Sequence, residues 1–169
     1  PNHTAWDNPL TVEHPDWYLK DSAGNFTPPF GFDWTDVIQL DLENPEMQEY
    51  MVNAMKFWVE MGVDGYRVDH PHKTPKGFWE IVRPELESIR PVLLMAENED
   101  QLYFLEKGFD MNYGWELHHM LDHVAQGRNS VRKIDSLFKK EFRIFPSNVY
   151  RLRFLTNHDE NKDKGTIYE

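Results

Sequence analysis

From residue 44 onward, apolar positions alternate between helical spacing and short strand-like runs. Asn44 is a good N-cap and Pro45 suits the first helical position. Met47, Tyr50, Met51, Ala54, Met55 and Trp58 then recur at helical spacing and predict one apolar face. Gly62 supplies the stop. "VDGYRVD", residues 63 to 69, reads as a strand. Thr74 and Pro75 repeat the cap-and-proline start, predicting a helix towards Arg90 with a break or kink at Pro84. "PVLLMAE", residues 91 to 97, has the continuous apolar character of a strand buried on both faces. "EDQLYFLEK" predicts a short helix and "FDMNY" a weaker strand. "WELHHMLDHVAQG" and "SVRKIDSLFKKEF" predict two helices or one interrupted helix. "VYRLRFLT" reads as a strand that ends in "NHDEN".

Helix and strand thus alternate through residues 41–169, which predicts an α/β fold with parallel strands joined by crossover helices. Residues 1–40 differ. They are rich in Pro, Asp, Asn and Trp and show little periodicity, so they read as a long, partly ordered loop. A loop of that length inside a compact domain is either functional or a small excursion from the main fold. No solenoid repeat, low-complexity tract or linker divides the sequence.

Composition narrows the classes. The 169 residues are 40% hydrophobic and 14% aromatic, enough for one domain with a core. A formal net charge of −11 argues against nucleic acid or an anionic membrane surface as partner. No apolar run is long enough to span a bilayer. With no cysteine, disulfide and thiol chemistry are excluded while the compartment stays open. The chain opens "PNHT" without Met, so a preceding segment is expected.

The chemistry gathers where parallel strands end, the edge that carries sites in such sheets. "GYRVD" ends at Asp69, "VLLMAE" at Glu97, and "RFLTNHD" at His158 and Asp159. Strand alternation puts Arg67 and Asp69 on one face, where the guanidinium can keep the carboxylate ionised and fix its rotamer. Each feature has a plain structural account: a satisfied ion pair, a loop acid, a capped turn. Three carboxylates delivered to one rim together favour glycosidic-bond chemistry. One attacks the anomeric carbon in ionised form. Another must hold a proton for the leaving oxygen, and Glu97, following an apolar strand near other acids, suits that part. In a retaining mechanism the two stand about 5–5.5 Å apart.

With these motifs in order, the chain resembles the α-amylase superfamily of glycoside hydrolases, most nearly its bacterial amylase and neopullulanase-like members. "NHT" is similar to the tail of the motif ending the third barrel strand, "DGYRVD" to the fourth-strand motif, "MAENE" to the fifth and "FLTNHDEN" to the seventh. "VIQLDLENP" and "FDMNYGWELHH" resemble the approach to the fourth strand and the sixth strand with its helix. The resemblance implies part of a (β/α)8 TIM barrel, roughly from the end of strand 3 to just after strand 7. A full barrel takes about 250 residues, so the remaining strands would have to come from a longer enzyme. Alone, the chain would expose sheet edges. The resemblance makes Asp69 the nucleophile, Glu97 the acid/base, Asp159 the third carboxylate and Arg67 the residue that orients the nucleophile. It places His3 and His158 against the sugar beside the cleaved bond and Asn2 at a structural calcium position found in some members. No cofactor is required for the chemistry, and the implied partner is an α-glucan or maltooligosaccharide.

The sequence departs from the family where His72 and Lys73 stand in the reverse of the common Lys-then-His order. They are expected to line the acceptor side, which leaves hydrolysis and glucan transfer both open. The Asp that opens the "NH" motif and the upstream sugar-stacking Tyr are not in the sequence. Trp6, Trp34 and Trp115 suit sugar stacking or core packing equally. His118 and His119, on an expected helix, read as surface or packing residues. "HPH" also resembles the metal pair of amidohydrolases on the same barrel, but "MAENE" and "FDMNY" lack the further His ligands. A barrel that only binds glycans is the non-enzymatic alternative.

Overall fold

The computed structural model describes residues 2–30 and 34–160. Asn161, which closes the "NHDEN" motif, lies outside them. The chain forms two compact units that meet between Val92 and Leu93.

The first unit opens with a short antiparallel pair. β1 (His3–Ala5) runs against β2 (Val37–Gln39), with His3 opposite Gln39 and Ala5 opposite Val37. Between them lie one helical turn, α1 (Leu10–Glu13), a 3-10 turn at Pro15–Trp17, and bridges at Tyr18–Leu40 and Lys20–Phe26. The expected long loop is thus a small ordered excursion. Gln39 is buried and its amide donates to the Asn2 and Leu40 carbonyls at 2.7 and 3.1 Å. These bonds satisfy main-chain groups that irregular backbone would otherwise leave orphaned.

α2 (Pro45–Glu60) begins as its sequence dictates. The Asn44 side chain accepts the Glu46 and Met47 N–H groups, and Pro45 costs nothing in the first turn. Gly62 ends it at φ 102°, a conformation that favours glycine. The buried face is Met47, Met51, Val52, Met55 and Val59. Half the expected stripe is therefore rotated outward: Tyr50 and Trp58 are about half exposed. Ala54 and Trp58 border an apolar cavity of about 410 Å³ that also touches Met51, Met55 and Tyr66. β3 (Gly65–Val68) follows, anchored to α2 by the Tyr66 hydroxyl, which donates to the Met55 carbonyl at 2.6 Å. α3 (Phe78–Glu87) starts three residues beyond the expected Thr74–Pro75 signal. The Thr74 hydroxyl is spent elsewhere: it donates to the Pro71 carbonyl and accepts the Trp79 indole N–H, so it cannot cap the helix. Pro84 lies inside α3 without ending it.

The second unit holds three parallel strands, β4 (Leu93–Ala96), β5 (Met111–Tyr113) and β6 (Tyr150–Leu152), with β5 in the middle. α4 (Leu102–Lys107) joins β4 to β5. α5 (Trp115–Ala125) and α6 (Arg132–Ile144) together join β5 to β6; Gly127, at φ 70°, makes the break between them. β4 alternates rather than being buried on both sides: Leu94 and Ala96 are inaccessible while Leu93 is 47% exposed. Asp110 ties the strand starts together. It exchanges hydrogen bonds with Leu94, and its carbonyl accepts from Tyr150 N–H at 2.8 Å.

Arg151 is the interior counterpart. It is almost inaccessible, bonds Asn112 of β5 at 2.5 Å, pairs with Glu99 just past β4, and meets Glu141 of α6 at 3.3 Å. Phe145 lies under its guanidinium at 3.8 Å. Truncating one partner of a buried charge network leaves the others unpaired. Arg151→Ala is expected to lower unfolding free energy by about 3 kcal/mol or more. Arg153→Ala, whose side chain is 43% exposed where it meets Glu141, is expected to cost under about 1 kcal/mol. Urea denaturation of the two variants checks the difference.

Candidate active site

In the first unit the sequence-derived residues cluster around the end of β3. Arg67 Nη1 donates to Asp69 Oδ1 at 2.7 Å, the same-face pairing that strand alternation required. Both side chains remain partly accessible, at 29% and 44%. Directly after Asp69, His70 adopts φ 42° and ψ 56°, a left-handed conformation uncommon for a residue with a Cβ. It is the single non-glycine residue at positive φ among those described. The chain therefore leaves the strand sharply and enters a 3-10 turn at Pro71–Lys73, with Pro71 buried.

That turn gathers rings beside the carboxylate. His70 and His72 meet edge-to-face at 5.3 Å, and Trp34 packs between His70 (5.6 Å) and His3 (5.5 Å). His3 Nδ1 lies 2.5 Å from Asn2 Oδ1, and Asn2 is buried. Asn2 thus orients His3. The Lys73 ammonium donates to the Phe30 carbonyl at 3.1 Å, pinning the turn to the first unit's loop. His72 and Lys73, expected together on the acceptor side, thus have different surroundings: one imidazole sits with rings while the ammonium bonds backbone.

Burial lowers the pKa of both His3 and His72 below 6.5, and the Asp69 charge opposes the shift in each case. For His72 the neighbouring His70 and Lys73 add to the lowering. Both rings are therefore neutral at pH 7, able to donate from one nitrogen and accept at the other.

In the second unit, Glu97 directly follows β4 and is 8% exposed. Asn98 beside it is also buried, and its carbonyl accepts the Tyr113 N–H at 3.1 Å. Glu99, the last residue of "MAENE" and given no role from sequence alone, receives Arg151 and the Glu116 N–H; burial raises its pKa against both of those contacts. Past β6, Asn157 Oδ1 accepts the N–H groups of Asp159 (2.7 Å) and Glu160 (3.2 Å), fixing a side-chain-capped turn. That turn presents His158 and Asp159 to solvent, 3.3 Å apart. β4 and β6 are parallel members of one sheet, so Glu97 and Asp159 both lie beyond the same, carboxyl edge.

The three tryptophans divide. Trp34 is part of the ring cluster beside Asp69. The Trp6 indole is half-exposed and donates to the Thr35 carbonyl. Trp115 stacks on Tyr113 at 5.4 Å. His118 is buried, as a packing residue would be, with its ring stacked on Phe154 at 4.8 Å.

Comparison with known proteins places this arrangement. Residues 11–167 match the family model described as alpha amylase, catalytic domain. An α-amylase of Dictyoglomus thermophilum is 27% identical over 96% of this chain and 31% of its own length. An α-1,4-glucan:maltose-1-phosphate maltosyltransferase of Corynebacterium glutamicum is 31% identical over 64% of the chain and 18% of its own. The crystal structure of a noncanonic maltogenic α-amylase from Thermotoga neapolitana superposes with a TM-score of 0.83 at 33% identity, over 94% of this chain and 37% of that one. The fold is that of a partial (β/α)8 barrel, and the chain spans less than two fifths of each of these proteins.

Two-dimensional NMR titration tests the electrostatics of the first unit. His3 and His72 are expected to titrate below 6.5, and Asp69→Asn is expected to lower both midpoints further by removing the charge that opposes their shift. A folded ring that resists protonation makes unfolding take up protons. The stability these two rings contribute is therefore complete above about 6.5 and declines as pH falls from there through their folded midpoints.

Proposed function

We infer the activity from the family to which this chain belongs, the α-amylase catalytic domain: it is the central part of a retaining enzyme acting on α-glucans such as starch and maltooligosaccharides. The observation that carries the reading is the Arg67–Asp69 pair at 2.7 Å, closing the strand whose "DGYRVD" motif resembles the family's nucleophile strand.

In this reading Asp69 attacks the anomeric carbon and displaces the leaving oxygen, which takes a proton from Glu97. A covalent glycosyl–Asp69 ester results. Glu97, now a carboxylate, removes a proton from the incoming hydroxyl, which attacks the same carbon and releases Asp69 with the α configuration restored. Arg67 keeps the nucleophile charged and its rotamer fixed. Glu97 is shielded from water, as befits a group that must deliver its proton to one oxygen. Asp159 stands exposed on a rigid turn, where it can bind sugar hydroxyls and stabilise the oxocarbenium-like transition state. His3 and His158 contact the sugar beside the cleaved bond. No step calls for a cofactor.

Transfer to a sugar hydroxyl in place of water is the second reading. It is favoured by the order His72–Lys73 after the nucleophile and by the maltosyltransferase among the relatives. The same residues serve both reactions; the acceptor decides.

Proton NMR of the anomers first formed from a maltooligosaccharide by the intact enzyme containing this chain tests both. α-Anomers are expected. Asp69→Asn is expected to lower kcat by at least about 10⁴-fold with the fold intact. Chain lengthening would assign transfer. First-formed β-anomers, or an active Asp69→Asn variant, would overturn the retaining mechanism.

A further inference from the structure

The second unit carries a cluster that the reaction above does not use. We propose that His118, His119 and Glu160 form a binding site for one divalent transition-metal ion of the Zn²⁺ class, with Asp122 as a fourth donor.

His118 and His119 are adjacent on α5, and Glu160 lies on the turn past β6. His119 Nε2 is 3.4 Å from Glu160 Oε2, and His118 Nε2 is 3.8 Å from the same atom. One donor atom from each residue lies within 4.8 Å of the other two. Asp122, one helical turn beyond His118, brings Oδ2 to 3.6 Å of His118 Nε2. Donor atoms at the corners of a Zn²⁺ tetrahedron are separated by about 3.3 Å, given bonds of about 2.0–2.1 Å. The His118–Glu160, His119–Glu160 and His118–Asp122 separations of 3.8, 3.4 and 3.6 Å are close to that spacing.

A second observation points to a ligand. The His118 side chain is 4% exposed, yet among the described residues neither of its ring nitrogens has a hydrogen-bond partner. His119 Nε2 and Asp122 Oδ1 are likewise buried and without one. Buried polar atoms in native structures nearly always find a partner. Four such atoms in one cluster, unpartnered among the described residues, mark a place suited to a bound ion. Two imidazoles with carboxylates select zinc-like ions over Ca²⁺ or Mg²⁺, which take oxygen donors.

The rings are held as ligands need to be. Phe154 stacks on His118 and Trp115 lies against His119 at 6.1 Å, so rotamer freedom is already lost before an ion arrives. An ion here would tie α5 to the Asn157-capped turn. It would thereby stiffen the backbone next to Asp159, without touching that carboxylate.

Co²⁺ titration of the chelator-treated protein tests the site, because tetrahedral Co²⁺ gives visible d–d bands that solvated Co²⁺ lacks. One equivalent with those bands is expected, displaced by Zn²⁺, with a rise in melting temperature. His118→Gln and His119→Gln are each expected to weaken binding at least 100-fold. His123→Gln, on the same helix but outside the cluster, is expected to leave it unchanged. His119 is 43% exposed, so its variant remains informative even if His118→Gln fails to fold. Absence of the bands, or undiminished binding in a folded His119→Gln protein, overturns the proposal.

Discussion

A guanidinium cannot be buried cheaply, and the second unit is built around that constraint. Arg151 sits in a short strand with almost no access to water, so its donors must all be met by the protein. Asn112 of the central strand, Glu99 past the neighbouring strand, and Glu141 of the preceding helix meet them. Three parallel strands of three or four residues offer few ladder hydrogen bonds of their own. The polar cluster compensates by fixing their mutual register, since a one-residue slip would turn Arg151 to the opposite face. Glu97 and the Asn157 turn lie just beyond strands held this way, so their placement derives from it.

The first unit solves a similar problem with less burial. Arg67 and Asp69 pair with each other at a strand end that remains partly open to solvent. His3 and His72 are kept neutral by burial among rings, beside a carboxylate paired with a guanidinium. Within one small region an aromatic cluster thus surrounds the imidazoles while a guanidinium pairs with the acid.

What the sequence made legible follows the length of each signal. The order of helices and strands was readable because 16-residue α2 and 13-residue α6 carry several turns of pattern, and Asn44–Pro45 is a cap with a mechanism. The pairing of β1 with β2 was not, because three residues are too few to show a period of two. The start of α3 was misplaced because Thr74 had two competing uses for one hydroxyl. The outward rotation of Tyr50 and Trp58 was invisible because an apolar stripe does not say which part of it meets the core. Among site residues, Arg67, Asp69, Glu97 and Asp159 were marked by position at strand ends. Glu99 and Arg151 were not. In the sequence Arg151 and Arg153 alternate along a run that reads as a strand, a pattern that normally denotes solvent, and only tertiary structure reveals the acids opposite. His118 and His119 look alike in sequence, yet one is buried and the other half-exposed.

The left-handed residue at His70 has a consequence for how the chain beyond it can vary. Up to Asp69 the backbone obeys the strand, which dictates where each side chain points. At His70 that dictation ends, and the 3-10 turn starts on a new heading. Between Asp69 and Pro71 the molecule therefore has a natural splice point. Loops of different length and composition can be grafted there while the strand that aims Asp69 is left untouched.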